Sequence, residues 1–221
     1  MKSISSIALN TFRESIREKL LVIALFFGAL LFGSSYILSP LAVGAREKIV
    51  LDVGLAAVSL LGILITIMIG STLLHKEIDR RAVYMVLTRP VSRLEYLIGK
   101  FWGILLAVAG VVAVMTAVMV LMLMLGKVAL RPVVFMALYL TLLEIAVVCS
   151  IVVFFSTFTT PVLTSFFSVC LVVAGSLSGD LKVFAEKFGG AVTGRIADAL
   201  YYVLPNLKVF NLRHEAVHGL P

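Results

Sequence analysis

The sequence predicts an all-α fold, a polytopic bundle of membrane helices, on three observations. Hydrophobic residues make up 61% of the 221 and charged residues only 14%, whereas a soluble domain carries about 25% charged residues. Apolar runs with little or no charge recur at about 20 residues, the length that roughly 30 Å of hydrocarbon demands of a helix. Lys and Arg gather in the connections between these runs. The same composition excludes a disordered chain, and two cysteines cannot make a disulfide scaffold.

The first element precedes the membrane. Ile4, Ala8, Phe12, Ile16 and Leu20 recur every four residues, with Arg13, Glu14, Arg17 and Glu18 opposite them. That pattern predicts an N-terminal interfacial helix with its apolar stripe toward the lipid, and Thr11-x-x-Glu14 reads as a capping box.

Five spans follow: Leu20–Leu38, Val53–Leu74, Phe101–Gly126, Val133–Thr157 and Pro161–Ser178. The first exceeds the 7–15 residues of a signal-peptide apolar region, so it is read as a span. No internal repeat is evident, and no small-xxx-small glycine pattern stands out as a packing signal.

Between the second and third spans, His75–Lys100 is dense in charge. Glu77 is spaced to pair with Arg80 and Arg81. Ile78, Ala82, Met85 and Val86 supply a stripe for a short helix ending near Thr88. Arg89-Pro90 breaks it, because the residue before proline avoids the α region. Ser92-x-x-Glu95 is a second capping box, starting a helix that runs directly into the third span. After the fifth span, Leu181–Phe188 and Thr193–Leu204 read as two short external helices, interfacial or re-entrant.

Orientation follows from Lys and Arg in the short loops. Ten lie on the side of the N-terminus and the His75–Lys100 loop, and four on the other. The N-terminus is therefore expected in the cytoplasm and Gly179–Pro221 outside. The net charge of +7 reads as topology and attraction to anionic lipid. Nucleic-acid binding would need a basic face on a soluble module, and none is present.

Three features invite chemistry. His214-Glu215-Ala216-Val217-His218 matches H-E-x-x-H, in which two histidines one turn apart can hold zinc beside a base. A membrane-anchored zinc hydrolase using His214, Glu215 and His218 is accordingly the second reading of the chain, weakened because no downstream third ligand has room. Glu144 stands mid-span, where an ionisable group costs roughly 3 kcal/mol and marks a functional candidate. It is read as lining a pathway or as bundle interior, with Thr141 on the same face. Met115, Met119 and Met122 share a helix face and read as packing residues in preference to a copper path. Cys149 and Cys170 read as free thiols within spans. Gly99-Lys100 and Gly126-Lys127 lack the upstream glycine and the following Ser or Thr of a P-loop, so this chain binds no nucleotide.

In the order of its parts, the chain resembles the permease subunits of ABC-2 type ABC transporters. The likeness lies in the N-terminal helix and in Glu77-Ile78-Asp79-Arg80-Arg81 through Leu87-Thr88-Arg89-Pro90-Val91-Ser92-Arg93. It continues through Gly99-Lys100-Phe101, the helix pair after the fifth span, Pro205-Asn206 and Phe210-Asn211-Leu212-Arg213. The nearest-looking branch includes permeases associated with multicopper-enzyme maturation. The resemblance implies a non-enzymatic subunit of a prokaryotic cytoplasmic membrane, paired with a second permease copy or paralogue and with a separate ATPase. ATP and magnesium would sit on that ATPase, with no cofactor on this chain. It also implies that Glu77, Asp79, Arg80, Arg81, Arg89, Pro90, Ser92 and Arg93 form a cytoplasmic coupling helix and elbow. Such permeases usually have six spans, so residues 1–221 are expected to be one permease domain short of a sixth.

Overall fold

A computed structural model of the chain describes residues 2–17, 46–79, 92–125 and 132–188, with isolated positions at 22, 26, 28, 29, 33 and 207. Among the described residues the elements are all helices. They are α1 (Lys2–Ile16), α2 (Arg46–Asp79), α3 (Arg93–Leu125), α4 (Pro132–Ser156) and α5 (Pro161–Phe188). Three contain stretches long and apolar enough to cross a membrane: Leu51–Leu73, Leu94–Leu121 and Val133–Ser156. In α5 the apolar stretch is shorter, Pro161–Leu177. The fold is a polytopic helical membrane bundle. Most of the expected first span, Leu20–Leu38, lies outside the described residues, but Gly28 is buried against Met115 of α3 and Leu61 of α2.

The main core is the seam among α2, α3 and α4. Val58, Ile65, Ile69 and Leu73 of α2 meet Ile104, Val108, Met115 and Met119 of α3, closed by Ile145 and Cys149 of α4. Met115 and Met119 are thus packing residues, as their spacing suggests. Gly62 and Gly70 of α2 face Ile145 and Val152 of α4 so closely that an added Cβ would meet either side chain at 2.6 Å. A second, smaller cluster joins Ile67, Val148, Val152 and Val172 with Leu207. The chain beyond α5 therefore returns into the bundle at Leu207, which is 1% exposed.

Several local expectations change. α1 is one unbroken helix, so Thr11 sits in its interior and cannot cap it, since a cap residue needs a non-helical backbone. Its carbonyl instead accepts the Ser15 hydroxyl at 2.8 Å. The buried face of α1 is Ala8, Thr11 and Ser15, while Leu9 and Ile16 are about half exposed. The apolar stripe is divided because Ile7, Ala8 and Thr11 seat against α3, leaving Leu9 and Ile16 toward the surroundings.

That seat is a glycine pair. Ile7 and the Ile4 carbonyl lie over Gly99, and Thr11 and the Ala8 carbonyl lie over Gly103. Gly99-x-x-x-Gly103 is thus a small-xxx-small motif, contrary to the sequence reading, continued by buried Ala107. One turn of α1 advances with one turn of α3, so the two helices run side by side in the same sense there.

Leu181–Phe188 is not a separate helix: α5 continues through it without a break from Pro161. The expected helix Thr193–Leu204 lies outside the described residues. Between α4 and α5 the turn is tight and uncharged. Thr157 and Thr159 bond back to the Phe154 and Phe155 carbonyls, both at 2.7 Å. The same two carbonyls also accept the backbone N–H groups of Thr157, Phe158 and Thr159, so the hydroxyls reinforce the turn that ends α4. Pro161 then opens α5 at the first helical position, where its missing N–H costs nothing.

Candidate functional site

The site with the most chemical character is a cleft of about 370 Å³ among α2, α4 and α5. Its walls are mainly Leu, Ile, Val and Ala, with Ser59, Thr141, Glu144 and Ser176 as the polar members. Glu144 is twelve residues from either end of α4, at mid-height of the helix. It is 7% exposed. The Ser59 hydroxyl of α2 donates to Glu144 Oε2 at 3.2 Å, across the seam.

Thr141 lines the same cleft one turn away, as its spacing from Glu144 leads one to expect. Its hydroxyl bonds within its own helix, to the Ala137 carbonyl at 2.9 Å, and so keeps Glu144 Oε2 for Ser59. Ser176 likewise bonds back to the Val172 carbonyl at 2.8 Å. Two of the three hydroxyls are thus committed to local backbone, and the carboxyl is the one ionisable group among the described lining residues. Leu60, Leu64 and Val173 at the margin are 57, 43 and 51% exposed. The cleft opens sideways, between α2 and α5, through apolar side chains.

A second place of interest is the end of the bundle where α2 finishes and α3 begins. The reciprocal cap read from the sequence is present: the Ser92 amide donates to Glu95 Oε2 at 3.1 Å, and the Glu95 amide to Ser92 Oγ at 3.2 Å. The Tyr96 amide adds a bond to the Ser92 carbonyl at 3.1 Å. Glu77 and Asp79 belong to the last turns of α2 and not to a separate short helix, because that helix passes through them unbroken. Arg93 opens α3. Arg80, Arg81, Arg89 and Pro90 lie outside the described residues, as do His214, Glu215 and His218.

Here the chain is matched over residues 49–204 by the family model described as ABC-2 family transporter protein. The chain belongs to the ABC-2 transporter family. As an ABC-2 protein it is a membrane permease of an ABC transporter, a non-enzymatic membrane subunit in kind. A search of curated proteins gave no match.

Two features of this ABC-2 permease escape sequence reading. Ser59 stands 85 residues before Glu144, and no spacing rule connects two single polar residues in different spans. Lys100 reads as one more positive loop residue, yet it is 1% exposed, with Nζ 5.9 Å from the Tyr96 ring centroid. A lysine is almost never so buried without compensating contacts.

Proposed function

We propose that this ABC-2 permease works as a dimer with a separate ATPase, forms the translocation path and exports its substrate from a prokaryotic cytoplasm. ATP and magnesium belong to the ATPase, and residues 1–221 act as one permease domain. The N-terminus and the His75–Lys100 connection face the ATPase, on the ten-to-four distribution of Lys and Arg. Within the family, the order of parts over almost the whole chain supports a place near the branch that includes permeases associated with multicopper-enzyme maturation.

The observation that carries the reading is the stiffness on both sides of that connection. α2 is helical to Asp79 and α3 starts at a reciprocally capped Ser92. A push delivered at Asp79 or Ser92 reaches two spans through continuous helix. Rim charges set association rate and salt dependence, so Glu77, Asp79, Arg80, Arg81, Arg89 and Arg93 are the contacts to alter, with Pro90 fixing the angle.

The test reverses Glu77, Arg81 and Arg93 together, co-purifies the ATPase and measures substrate-stimulated hydrolysis. Weakened docking or lost stimulation, with insertion intact, supports the reading; normal docking and stimulation overturn the coupling role. For the orientation, a Tyr84→Cys variant is expected to resist impermeant maleimide in intact cells and to react in inverted vesicles.

A further inference from the structure

We infer that the α2–α4–α5 cleft binds a lipophilic cation, an apolar body carrying a protonated amine, taken laterally from the bilayer. The inference rests on the permease reading and names the substrate class that the cleft fits. At about 370 Å³ the cavity is within the usual size of small-molecule sites, and its walls are apolar as such sites are. Its single ionisable group among the described lining residues is an acid, with no Lys, Arg or His to balance it. Glu144 is more than nine-tenths buried and lines the cleft. Its one hydrogen bond among the described residues uses Oε2, toward Ser59, which leaves Oε1 for an incoming donor. An ammonium offers that donor and brings a charge that favours the ionised carboxyl, whereas an anionic headgroup or phosphate brings no such compensation. Access is sideways, past Leu60, Leu64 and Val173, which are exposed and apolar, so the ligand must already be dissolved in lipid. A hydrogen bond from a charged donor is stronger than one from a hydroxyl, and the difference should improve affinity by about tenfold.

Binding to the purified full chain in nanodiscs is to be measured by fluorescence with three probes sharing one ring system: pyrenemethylamine, pyrenemethanol and pyrenecarboxylate. The expected order is amine about tenfold tighter than alcohol, and carboxylate weakest. Glu144→Gln should remove the amine's advantage over the alcohol, whereas Glu144→Asp should retain a preference for the amine. Size-exclusion elution and melting temperature of each variant, matched to the unaltered chain, serve as the folding control. Equal binding of the three probes, or an undiminished amine preference in Glu144→Gln, overturns the inference. So does a Val173→Cys variant that cross-links to a second copy and thereby excludes the probe, because the cleft would then be a helix interface. These measurements use no ATPase, so their failure leaves the permease reading standing. Amine binding without any ATP-driven transport would instead count against that reading alone.

Discussion

Gly103 of α3 lies directly under Thr11 of α1, with the Ala8 carbonyl oxygen 2.8 Å from where a side-chain carbon would begin. The obstruction includes backbone, so no rotamer change relieves it. Gly103→Ala must push α1 away from α3, and overpacking of this kind costs about 1–3 kcal/mol. Gly110 has open space within 4 Å of the same point. Gly110→Ala should therefore be neutral or slightly stabilising, alanine being favoured over glycine in a helix by about 0.5–1 kcal/mol. Thermal unfolding of the two variants in detergent checks the contrast.

Gly70 and Gly62 are alike in distance and unlike in what they face. The atom opposing Gly62 is the terminal Cδ1 of Ile145, which can rotate away; that opposing Gly70 is a Cγ of Val152, with its Cβ next at 3.4 Å. A β-branched side chain on a helix has one strongly preferred rotamer. Gly70→Ala is therefore expected to lower the melting temperature more than Gly62→Ala. Val152→Ala should rescue the first, giving non-additive effects in a double-mutant cycle.

Removal of the cap at the start of α3 should cost about 1 kcal/mol in Ser92→Ala. Glu95→Ala removes the other half of the same reciprocal pair, so the double variant should lose less than the sum of the two. The measurement is the melting temperature of all three variants. Additive losses would mean that the two bonds form independently.

Leu207 fills the space between α2, α4 and α5 beside Val148 and Val172. Leu207→Ala should cost about 2–5 kcal/mol through the hole it leaves. Leu207→Met, which conserves volume, should cost less than about 1.5 kcal/mol. Chemical unfolding of both variants is the check.

Much of the bundle was legible because hydrophobic runs and caps are local properties. Val133–Thr157 and α4 agree within a residue at each end, and Ser92-x-x-Glu95 caps as written. What failed had non-local causes. Thr11-x-x-Glu14 has a cap's letters, but packing over Gly99 begins the helix well before it. Gly99 closes the charged loop and Gly103 lies in the third span, so the pair straddles two separate patterns, and only the presence of α1 gives it meaning. In the site, Glu144 and Thr141 were legible as one face, since they lie one turn apart. Ser59 was not, because its role exists only once α2 and α4 are adjacent.

The mid-height position of Glu144 also has a bearing on how the protein is made. A carboxyl at the bilayer centre opposes insertion by roughly 3 kcal/mol. Fifteen of the 25 residues of α4 are Val, Leu, Ile or Phe, and at about 0.3 kcal/mol each, the low end of their range, they favour insertion by about 4.5 kcal/mol. The segment can thus leave the translocon into lipid unaided. By then α2, which is synthesised earlier, is already in the bilayer with Ser59 on it. On this count α4 is expected to enter on its composition, with the Ser59–Glu144 contact forming afterwards, as the helices find one another.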